Sequence, residues 1–244
     1  MSYTGCVVGV GSTNKCNPVL LYGLSDRTAP GVSKIAVVRG SLVSVEPYGD
    51  MTPEQKAETS WLVYNAIMTS ASGRMGVVGS GKQTGSVFKD YVRRRDANNT
   101  ADNNVSRALR RWGHEGKVGD RYNTPRIAGM VDVFMFNAGY MGCSALGIVT
   151  AENEKSPTLA ADVDLTRGSM AYLSTCTGEG AEPEAPKFQA VSEAVKTRRM
   201  EGRTAKELTE EMYDFMGPEF FVSSAAAVWV PSRGGWELAV KNRN

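Results

Sequence analysis

Helix-start signals recur along the chain after residue 50, and they limit the possible folds more than any other feature of the sequence. TPEQ at 52–55 and TPRI at 124–127 place threonine before proline, which suits a cap followed by the first helical position. TAKE at 204–207 has the threonine and glutamate spacing of a capping box. Apolar residues then recur at helical spacing until a glycine ends the segment. These patterns predict helices over 52–73, 124–139, 185–202 and 204–217, with weaker patterns at 86–95, 142–153 and 158–175.

The first 50 residues have a different character. GCVVGV, PVLLYG, KIAVV and SLVSVE are short β-prone runs separated by turn-forming residues, and Arg39-Gly40 fits a tight turn between the last two. We therefore expect a mainly α protein made of three parts. These are a β-rich N-terminal segment at 1–50 that could contact other subunits, a helical core at 51–217, and an extended C-terminal segment at 218–244.

Positive charge is concentrated in the middle of the chain. Residues 82–126 carry eleven basic and five acidic residues, a net charge of +6, whereas the rest of the chain sums to −4. Such an uneven distribution is typical of a protein with a localised anionic partner. The sequence therefore predicts a surface that binds single-stranded RNA through Lys82, Lys89, Arg93, Arg94, Arg95, Arg107, Arg110, Arg111, Lys117, Arg121 and Arg126.

The segment NNVSRALRRWG at 103–113 is the clearest part of this basic region. At the helical step of about 100° per residue, Val105, Leu109 and Trp112 share a narrow apolar edge. The three arginines of the segment lie on the opposite face, where their planar guanidinium groups suit phosphate oxygens. A solvated face, balanced by acidic residues from elsewhere in the chain, is the alternative interpretation.

A second basic cluster, YVRRRD at 91–96, is joined to the first by the polar stretch DANNTADNN. That stretch could let both clusters contact one strand of nucleic acid. Tyr91, Trp112 and Tyr122 lie within the same region, and bases can stack on such rings. Packing in the core is the alternative role for Trp112.

The segment GVVGSGKQTGS at 76–86 resembles a phosphate-binding P-loop, but it has Gln83 where the magnesium ligand should be. The preceding TSASGRM is small and polar, so we expect it to end a helix rather than form a buried strand. We interpret the glycine-rich segment as a flexible cationic link. A nucleotide-using enzyme working through Gly76–Thr84 is the alternative.

Other catalytic patterns are missing from the sequence. His114 is the single histidine. Asp162 and Asp164 could bind a metal, but we favour a role near a helix start, where carboxylates interact with the helix dipole. We therefore expect a protein that is not an enzyme, without catalytic residues, metal, cofactor, secretory signal or membrane-spanning segment. Wide, irregular spacing predicts free thiols at Cys6, Cys16, Cys143 and Cys176.

Two stretches resemble the coat proteins of flexuous filamentous plant RNA viruses, of the closterovirus and potexvirus type. NVSRALRRWGHE looks like the arginine-rich helix of that group, and VDVFMFNAGYMGCSALGIVTAENE is similar to its C-terminal region. The resemblance implies a helical core that binds single-stranded RNA in a basic groove, with terminal segments reaching neighbouring subunits. It also implies phosphate contacts for Arg107, Arg110 and Arg111, and an arginine partner for Asp132.

The leading hypothesis is therefore a viral coat or nucleocapsid protein, located in the virion and the host cytoplasm. It would self-assemble as a homo-oligomer, in a filament or capsid, and package single-stranded RNA without catalysis. The apolar run FFVSSAAAVWV at 220–230 would then contact another chain, or else complete the core of its own chain. A self-assembling structural protein without nucleic acid is a further alternative.

Overall fold

The structure is a computed structural model that describes residues 5–25, 34–49, 52, 54, 63–93, 100–113, 125–150, 157–176 and 191–243. The strands are β1 Cys6–Ser12, β2 Pro18–Ser25, β3 Lys34–Arg39, β4 Leu42–Pro47, β5 Tyr64–Thr69, β6 Met75–Gly79, β7 Arg126–Asp132, β8 Ser144–Val149, β9 Thr158–Asp162, β10 Ser169–Ser174, β11 Lys196–Arg199, β12 Phe221–Val230 and β13 Gly235–Asn242. The helices are α1 Gln83–Arg93, α2 Ala101–Leu109, α3 Val133–Asn137, α4 Val191–Ala194 and α5 Ala205–Met216, with a short 3-10 helix at Pro231–Arg233.

The strands form two antiparallel sheets. The first sheet has the order β11-β10-β1-β2-β12-β13, and the second has the order β3-β4-β5-β6-β7-β8-β9. The second sheet is a simple meander, because each of its strands pairs with the next one in sequence. The first sheet instead joins the two ends of the described chain, since β2 pairs with both β1 and β12.

The two sheets pack face to face, and strands in the middle are buried on both sides. On β2, Leu20, Tyr22 and Leu24 point into the core between the sheets. Val19 and Leu21, at the alternate positions, pack instead against α5 on the outer face. A strand covered on both faces has no polar side, so it reads as a continuous apolar run rather than an alternating one.

Helices cover the outer faces, which makes the protein a four-layer α/β/β/α sandwich. α5 lies over β2, β12 and β13 of the first sheet, whereas α1 and α2 lie side by side over β5 to β9 of the second. Gly147 on β8 lets α2 approach closely, because a Cβ at this position would lie 2.5 Å from Val105 Cγ1 and 2.9 Å from Leu109 Cδ1. None of the described helices has the length and apolar character needed to cross a bilayer.

The prediction of a mainly α protein is wrong. The described residues form thirteen strands and five α-helices, of which the longest, α5, has 12 residues. The expected helix at 124–139 is β7 followed by the one-turn helix α3, and the weaker patterns at 142–153 and 158–175 are β8, β9 and β10. β7 and β8 are buried on both faces, and their unbroken apolar runs also fit helical spacing.

Two further predicted helices are described only in part, and strands occur where they are described. In the segment 52–73, Glu54 is helical and Tyr64–Thr69 is strand β5, while Pro53 and residues 55–62 lie outside the described part of the chain. In the segment 185–202, the description begins at residue 191; Val191–Ala194 is helical, and the exposed edge strand β11 follows it.

Several local predictions are confirmed. The four β-prone runs before residue 50 are β1 to β4, and Gly40 sits in the turn between β3 and β4 with a left-handed φ of 61°. The capping box of α5 is present in full, with Thr204 accepting from the Glu207 N–H and Glu207 accepting from the Thr204 N–H. β12 is buried within the chain's own first sheet. All four cysteines are free thiols.

Candidate functional site

The predicted basic helix exists as α2, but two of its arginines are held by a carboxylate of the same protein. Asp90 on α1 is only 3% exposed. Its two oxygens accept from Arg107 Nε at 2.7 Å and Arg111 Nη2 at 3.0 Å. Arg107 also donates through Nη2 to the Asn104 side chain at 2.8 Å. These guanidinium groups tie α1 to α2, as in the alternative interpretation of this face.

Arg126 is likewise engaged within the protein. Its guanidinium lies over the Trp112 ring, 5.0 Å from the centroid, and its Nε donates to the Gly113 carbonyl at 2.8 Å. Trp112 donates from its indole N–H to Ser86 at 3.0 Å. The half-buried Trp112 therefore packs between the end of α2 and α1.

The other predicted RNA-binding residues are exposed or lie outside the described residues. Lys82, Lys89, Arg93 and Arg110 are exposed along α1 and at the end of α2. The remaining four, Arg94, Arg95, Lys117 and Arg121, lie outside the described residues. Contacts between this set and single-stranded RNA, and self-association of the chain, stay predictions.

The glycine-rich segment follows a strand and opens a helix, contrary to our expectation of a flexible link. β6 ends at Gly79, and α1 begins at Gln83. The groups that would bind magnesium in a P-loop are, however, used internally. Thr84 is fully buried and donates from its hydroxyl to the Gly81 carbonyl at 2.8 Å, and Gln83 donates to the Ile127 carbonyl at 3.2 Å. The P-loop alternative is therefore wrong.

Two tyrosines and a cysteine meet at one end of the space between the sheets. The Tyr22 hydroxyl lies 2.5 Å from the Tyr64 hydroxyl, and the two rings are edge to face with centroids 6.4 Å apart. The Cys6 sulfur lies 4.0 Å from the Tyr22 hydroxyl. Tyr22 is fully buried, whereas Tyr64 is half-buried, so the pair runs from the core toward the end of the sandwich.

Strand register explains why these three residues meet. Cys6 pairs with Leu24 across β1 and β2, which places Cys6 at the end of the first sheet where β2 finishes. Tyr64 is the first residue of β5 in the second sheet. We call this end of both sheets, with Cys6, Tyr22 and Tyr64, the tyrosine edge.

Tyr22 is the member of the tyrosine edge whose pKa is shifted. Burial raises the pKa of Tyr22 well above its usual value, and the neighbouring Cys6 and Tyr64 raise it further. A phenol in this state stays protonated near neutral pH and acts as a hydrogen-bond donor or general acid rather than a base. A protonated phenol does not activate the Cys6 thiol as a nucleophile.

Further polar groups border this edge. Thr175 follows β10 and accepts from the Cys6 backbone N–H at 2.9 Å, with the Cys176 sulfur 3.9 Å from its hydroxyl. Thr150 follows β8 at the corresponding end of the second sheet and is 2% exposed. Its hydroxyl has no hydrogen-bond partner within the described ranges. Buried hydroxyls without partners are rare, and a ligand group is one way of satisfying them.

Sequence reasoning missed the tyrosine edge. Tyr22 lies in the apolar run PVLLYG, and Tyr64 lies in the segment 52–73, for which the sequence predicts a helix. The available signal was a tyrosine hydroxyl inside a buried strand, since such a hydroxyl needs a partner. The partner is more than forty positions away in sequence, and only the stacking of the two sheets shows it.

The opposite end of the sandwich has two adjoining pockets. One, of about 400 Å³, is lined by the exposed Tyr140 and Met141 and by Asp162 and Asp164, the two carboxylates that the sequence offers as a possible metal-binding pair. Burial raises the pKa of Asp162, and the nearby Asp102 raises it further. No group of three or more potential metal ligands occurs among the residues that the structure describes. Asp162 ends strand β9 instead of starting a helix.

The second resemblance stretch can also be placed. Asp132 ends β7, accepts from the Tyr91 hydroxyl, and caps α3 by accepting from the Met135 N–H at 3.0 Å. Arg74 Nε lies 3.9 Å from its carboxylate, too far for a direct hydrogen bond. The stretch after Asp132 is therefore a one-turn helix and strand β8, not the C-terminal region of a helical coat protein.

Two antiparallel sheets, each covered by helices on its outer face, define a four-layer α/β/β/α protein. Residues 3–232 match the protein family described as IMP cyclohydrolase-like protein, so the chain belongs to that family. No curated protein matches the chain.

This membership corrects the functional hypothesis drawn from the sequence. The match covers nearly the whole chain and belongs to a family of enzyme type in nucleotide metabolism. The proposed resemblance to viral coat proteins is wrong, as are the expected capsid function, the virion and host-cytoplasm location, and the expectation that the protein is not an enzyme. The misleading feature was the arginine-rich segment of α2, whose charge serves largely to join two helices.

Proposed function

We propose that this protein is an enzyme of nucleotide metabolism that interconverts IMP and its ring-opened form by adding or removing water, and that the reaction takes place at the tyrosine edge. Two observations support the proposal. The family is named for a cyclohydrolase acting on IMP. The tyrosine edge joins the buried hydroxyl of Tyr22 to the half-buried hydroxyl of Tyr64, and the buried Thr150 hydroxyl, at the same end of the second sheet, has no hydrogen-bond partner in the described residues.

The chemistry of such a reaction sets clear requirements. In the opening direction, water adds to the ring carbon that lies between two nitrogens, one carbon–nitrogen bond breaks, and the released nitrogen takes up a proton. In the closing direction, an amide nitrogen attacks a formyl carbon, and the former formyl oxygen leaves as water. Both directions need a donor that stabilises negative charge on that oxygen and protonates the leaving group.

The Tyr22–Tyr64 pair meets this requirement. In the proposed reaction Tyr22 donates to the Tyr64 oxygen, and the Tyr64 hydroxyl donates to a substrate oxygen. Tyr64 is the half-buried member and contacts the substrate, which makes it the catalytic residue. Tyr22 is fully buried and acts through Tyr64, so its role is positioning. Thr150 supplies another hydroxyl on the same side of the sandwich.

The observation that carries the proposal is the 2.5 Å contact between the two hydroxyl groups. Replacing Tyr64→Phe removes the donor while keeping the ring. Loss of a general acid lowers rates by about 10²- to 10⁴-fold, so we expect kcat to fall by at least about 10²-fold. The measurement is the rate of ring closure and opening, followed by ultraviolet absorbance of the purine.

A matched control is Tyr140→Phe, since Tyr140 is 61% exposed and lies at the opposite end of the sandwich. This variant should keep the activity of the unmodified protein. If the unmodified protein neither opens IMP nor closes its ring-opened form, the proposed reaction is wrong. If it does so and Tyr64→Phe is fully active, the reaction stands and the assignment of the site is wrong.

A further inference from the structure

Three arginines line a pocket of about 540 Å³ at the end of the sandwich opposite the tyrosine edge. We propose that this arginine pocket binds the phosphate group of a small phosphorylated metabolite, at a site separate from the tyrosine edge. The pocket is lined by Asn14, Thr166, Arg167, Gly168, Ser169, Thr197, Arg198 and Arg199.

Hydrogen bonds between two loops build the floor of the pocket. The Ser12 hydroxyl donates to the Thr166 carbonyl at 3.1 Å, and the Gly168 N–H donates to the Thr13 carbonyl at 3.3 Å. Gly168 has a left-handed φ of 65°, and a Cβ there would lie 2.2 Å from Asn14 Oδ1. Only glycine fits this close approach without strain. The floor is therefore formed before any ligand binds.

Two of the guanidinium groups are held in place by the protein. Arg167 donates from Nε to the Asn14 carbonyl, and both residues line the pocket. Arg198 stacks over the Phe215 ring at 4.5 Å from the centroid. Arg199 is the next residue on the exposed edge strand β11. Guanidinium groups fixed in this way lose less side-chain entropy when they bind an anion.

The charge of these arginines is not balanced within the described structure. The ion pairs there join Asp90, Asp132, Glu46 and Glu210 to other basic residues, and none includes an arginine of the pocket. Asp162 and Asp164 line the adjoining pocket, which shares Thr166 with this one, and Glu211 on α5 accepts from the Glu201 and Gly202 N–H groups at 2.9 and 2.5 Å. Arg198 packs on the α5 side of β11, whereas Arg199, the next residue along the strand, points to the other face. An anion in the pocket lowers the repulsion between Arg167 and Arg199.

Phosphate is the anion that fits this set of donors. Planar guanidinium groups donate two parallel hydrogen bonds to phosphate oxygens, and the hydroxyl of Thr197 adds a further donor. The volume exceeds that of a phosphate ion alone and leaves room for the organic part of a phosphate ester. The concave shape favours a small ligand over a linear polyanion.

The test is a calorimetric titration of the full chain with inorganic phosphate and, in a second series, with adenosine 5′-monophosphate, both at constant ionic strength. The test variant is the double substitution Arg198→Ala and Arg199→Ala. Because about 1.4 kcal/mol corresponds to a tenfold change in affinity, and a hydrogen bond to a charged group contributes at least that much, we expect phosphate binding at least about tenfold weaker. Arg110→Ala removes an exposed arginine from the other sheet's helix layer and should bind phosphate normally.

Circular dichroism and the melting temperature of each variant will show that the fold is kept. The single substitution Arg199→Ala, which removes a fully exposed side chain, repeats the test if the double variant does not fold. Saturable phosphate binding that survives unchanged in these variants, or is absent from the unmodified protein, would overturn the proposal. Tyr64→Phe should bind phosphate at this pocket as before, so the result is independent of the proposed reaction. Tighter binding of the nucleotide than of phosphate, kept in Tyr64→Phe and lost in the double variant, would identify the ligand of this pocket as a phosphate ester.

Discussion

Replacing Gly147→Ala should destabilise the protein, because this glycine sets the distance between α2 and the second sheet. The added Cβ would lie 2.5 Å from Val105 Cγ1, 2.9 Å from Leu109 Cδ1 and 3.2 Å from the Leu159 carbonyl oxygen. An ordinary carbon–carbon contact is about 3.5 Å or longer, so α2 or its side chains must move by about 1 Å. Val105 and Leu109 are fully buried and cannot move outward freely.

Overpacking of this kind costs about 1 to 3 kcal/mol of unfolding free energy. In a chain of 244 residues, each kcal/mol lowers the melting temperature by roughly 2 to 4 °C. The assay is urea denaturation followed by circular dichroism. The matched control is Gly85→Ala on α1, where an added Cβ meets nothing within 4 Å. Since alanine favours helix over glycine, this variant should gain about 0.5 kcal/mol.

The opposite signs of the two changes make the reasoning easy to refute. If Gly147→Ala is as stable as the unmodified protein, α2 does not lie against β8 at the distance described. If Gly85→Ala is also destabilised, the loss at Gly147 cannot be attributed to a close helix–sheet contact.

Two further predictions concern the buried polar groups of the second sheet's helix layer. Asp90→Ala leaves the guanidinium groups of Arg107 and Arg111 without their carboxylate. Because both groups are partly exposed, we expect the unfolding free energy to fall by about 2 to 3 kcal/mol. Asp214→Ala, which removes an exposed carboxylate, should change it little. Equal stability of these two variants in urea denaturation would contradict the structural role of Asp90. Burial and the hydrogen bond to Asp132 raise the pKa of Tyr91 to about 12. Because the unfolded chain loses this proton near pH 10, the unfolding free energy should fall as the pH rises from about 10 to about 12. Tyr91→Phe should lack that part of the fall, and an unchanged pH dependence in this variant would show that Tyr91 does not cause it.

Local signals in the sequence predicted the short elements well and the overall fold poorly. The capping box at Thr204 and Glu207 depends on residues three positions apart, and the structure has it as predicted. The β-prone runs before residue 50 are likewise strands. The prediction of a helix failed for Ile127 to Val131 because both faces of this strand are covered, so that an apolar residue suits nearly every position. Periodicity cannot separate such a strand from a buried helix.

The candidate site was harder to predict for a related reason. The charge of α2 was visible in the sequence, but the carboxylate that balances Arg107 and Arg111 belongs to another helix. The Tyr22–Tyr64 pair joins residues of two different sheets, and neither position carries a local motif. Contacts between elements distant in sequence decide both cases, and a single sequence does not reveal them.

The connectivity of the first sheet also has a consequence for biosynthesis. β2 lies between β1 and β12, and Leu20 pairs with Ala227 near the far end of the chain. A ribosome releases the N-terminal strands long before the C-terminal ones. The apolar face of β1 and β2 therefore stays uncovered until most of the polypeptide has emerged. The meander of the second sheet can assemble in the meantime, since its neighbours arrive one after another. Nascent chains stalled before β12 should therefore expose an aggregation-prone hairpin, and chaperone binding should end only when the last strands have left the exit tunnel.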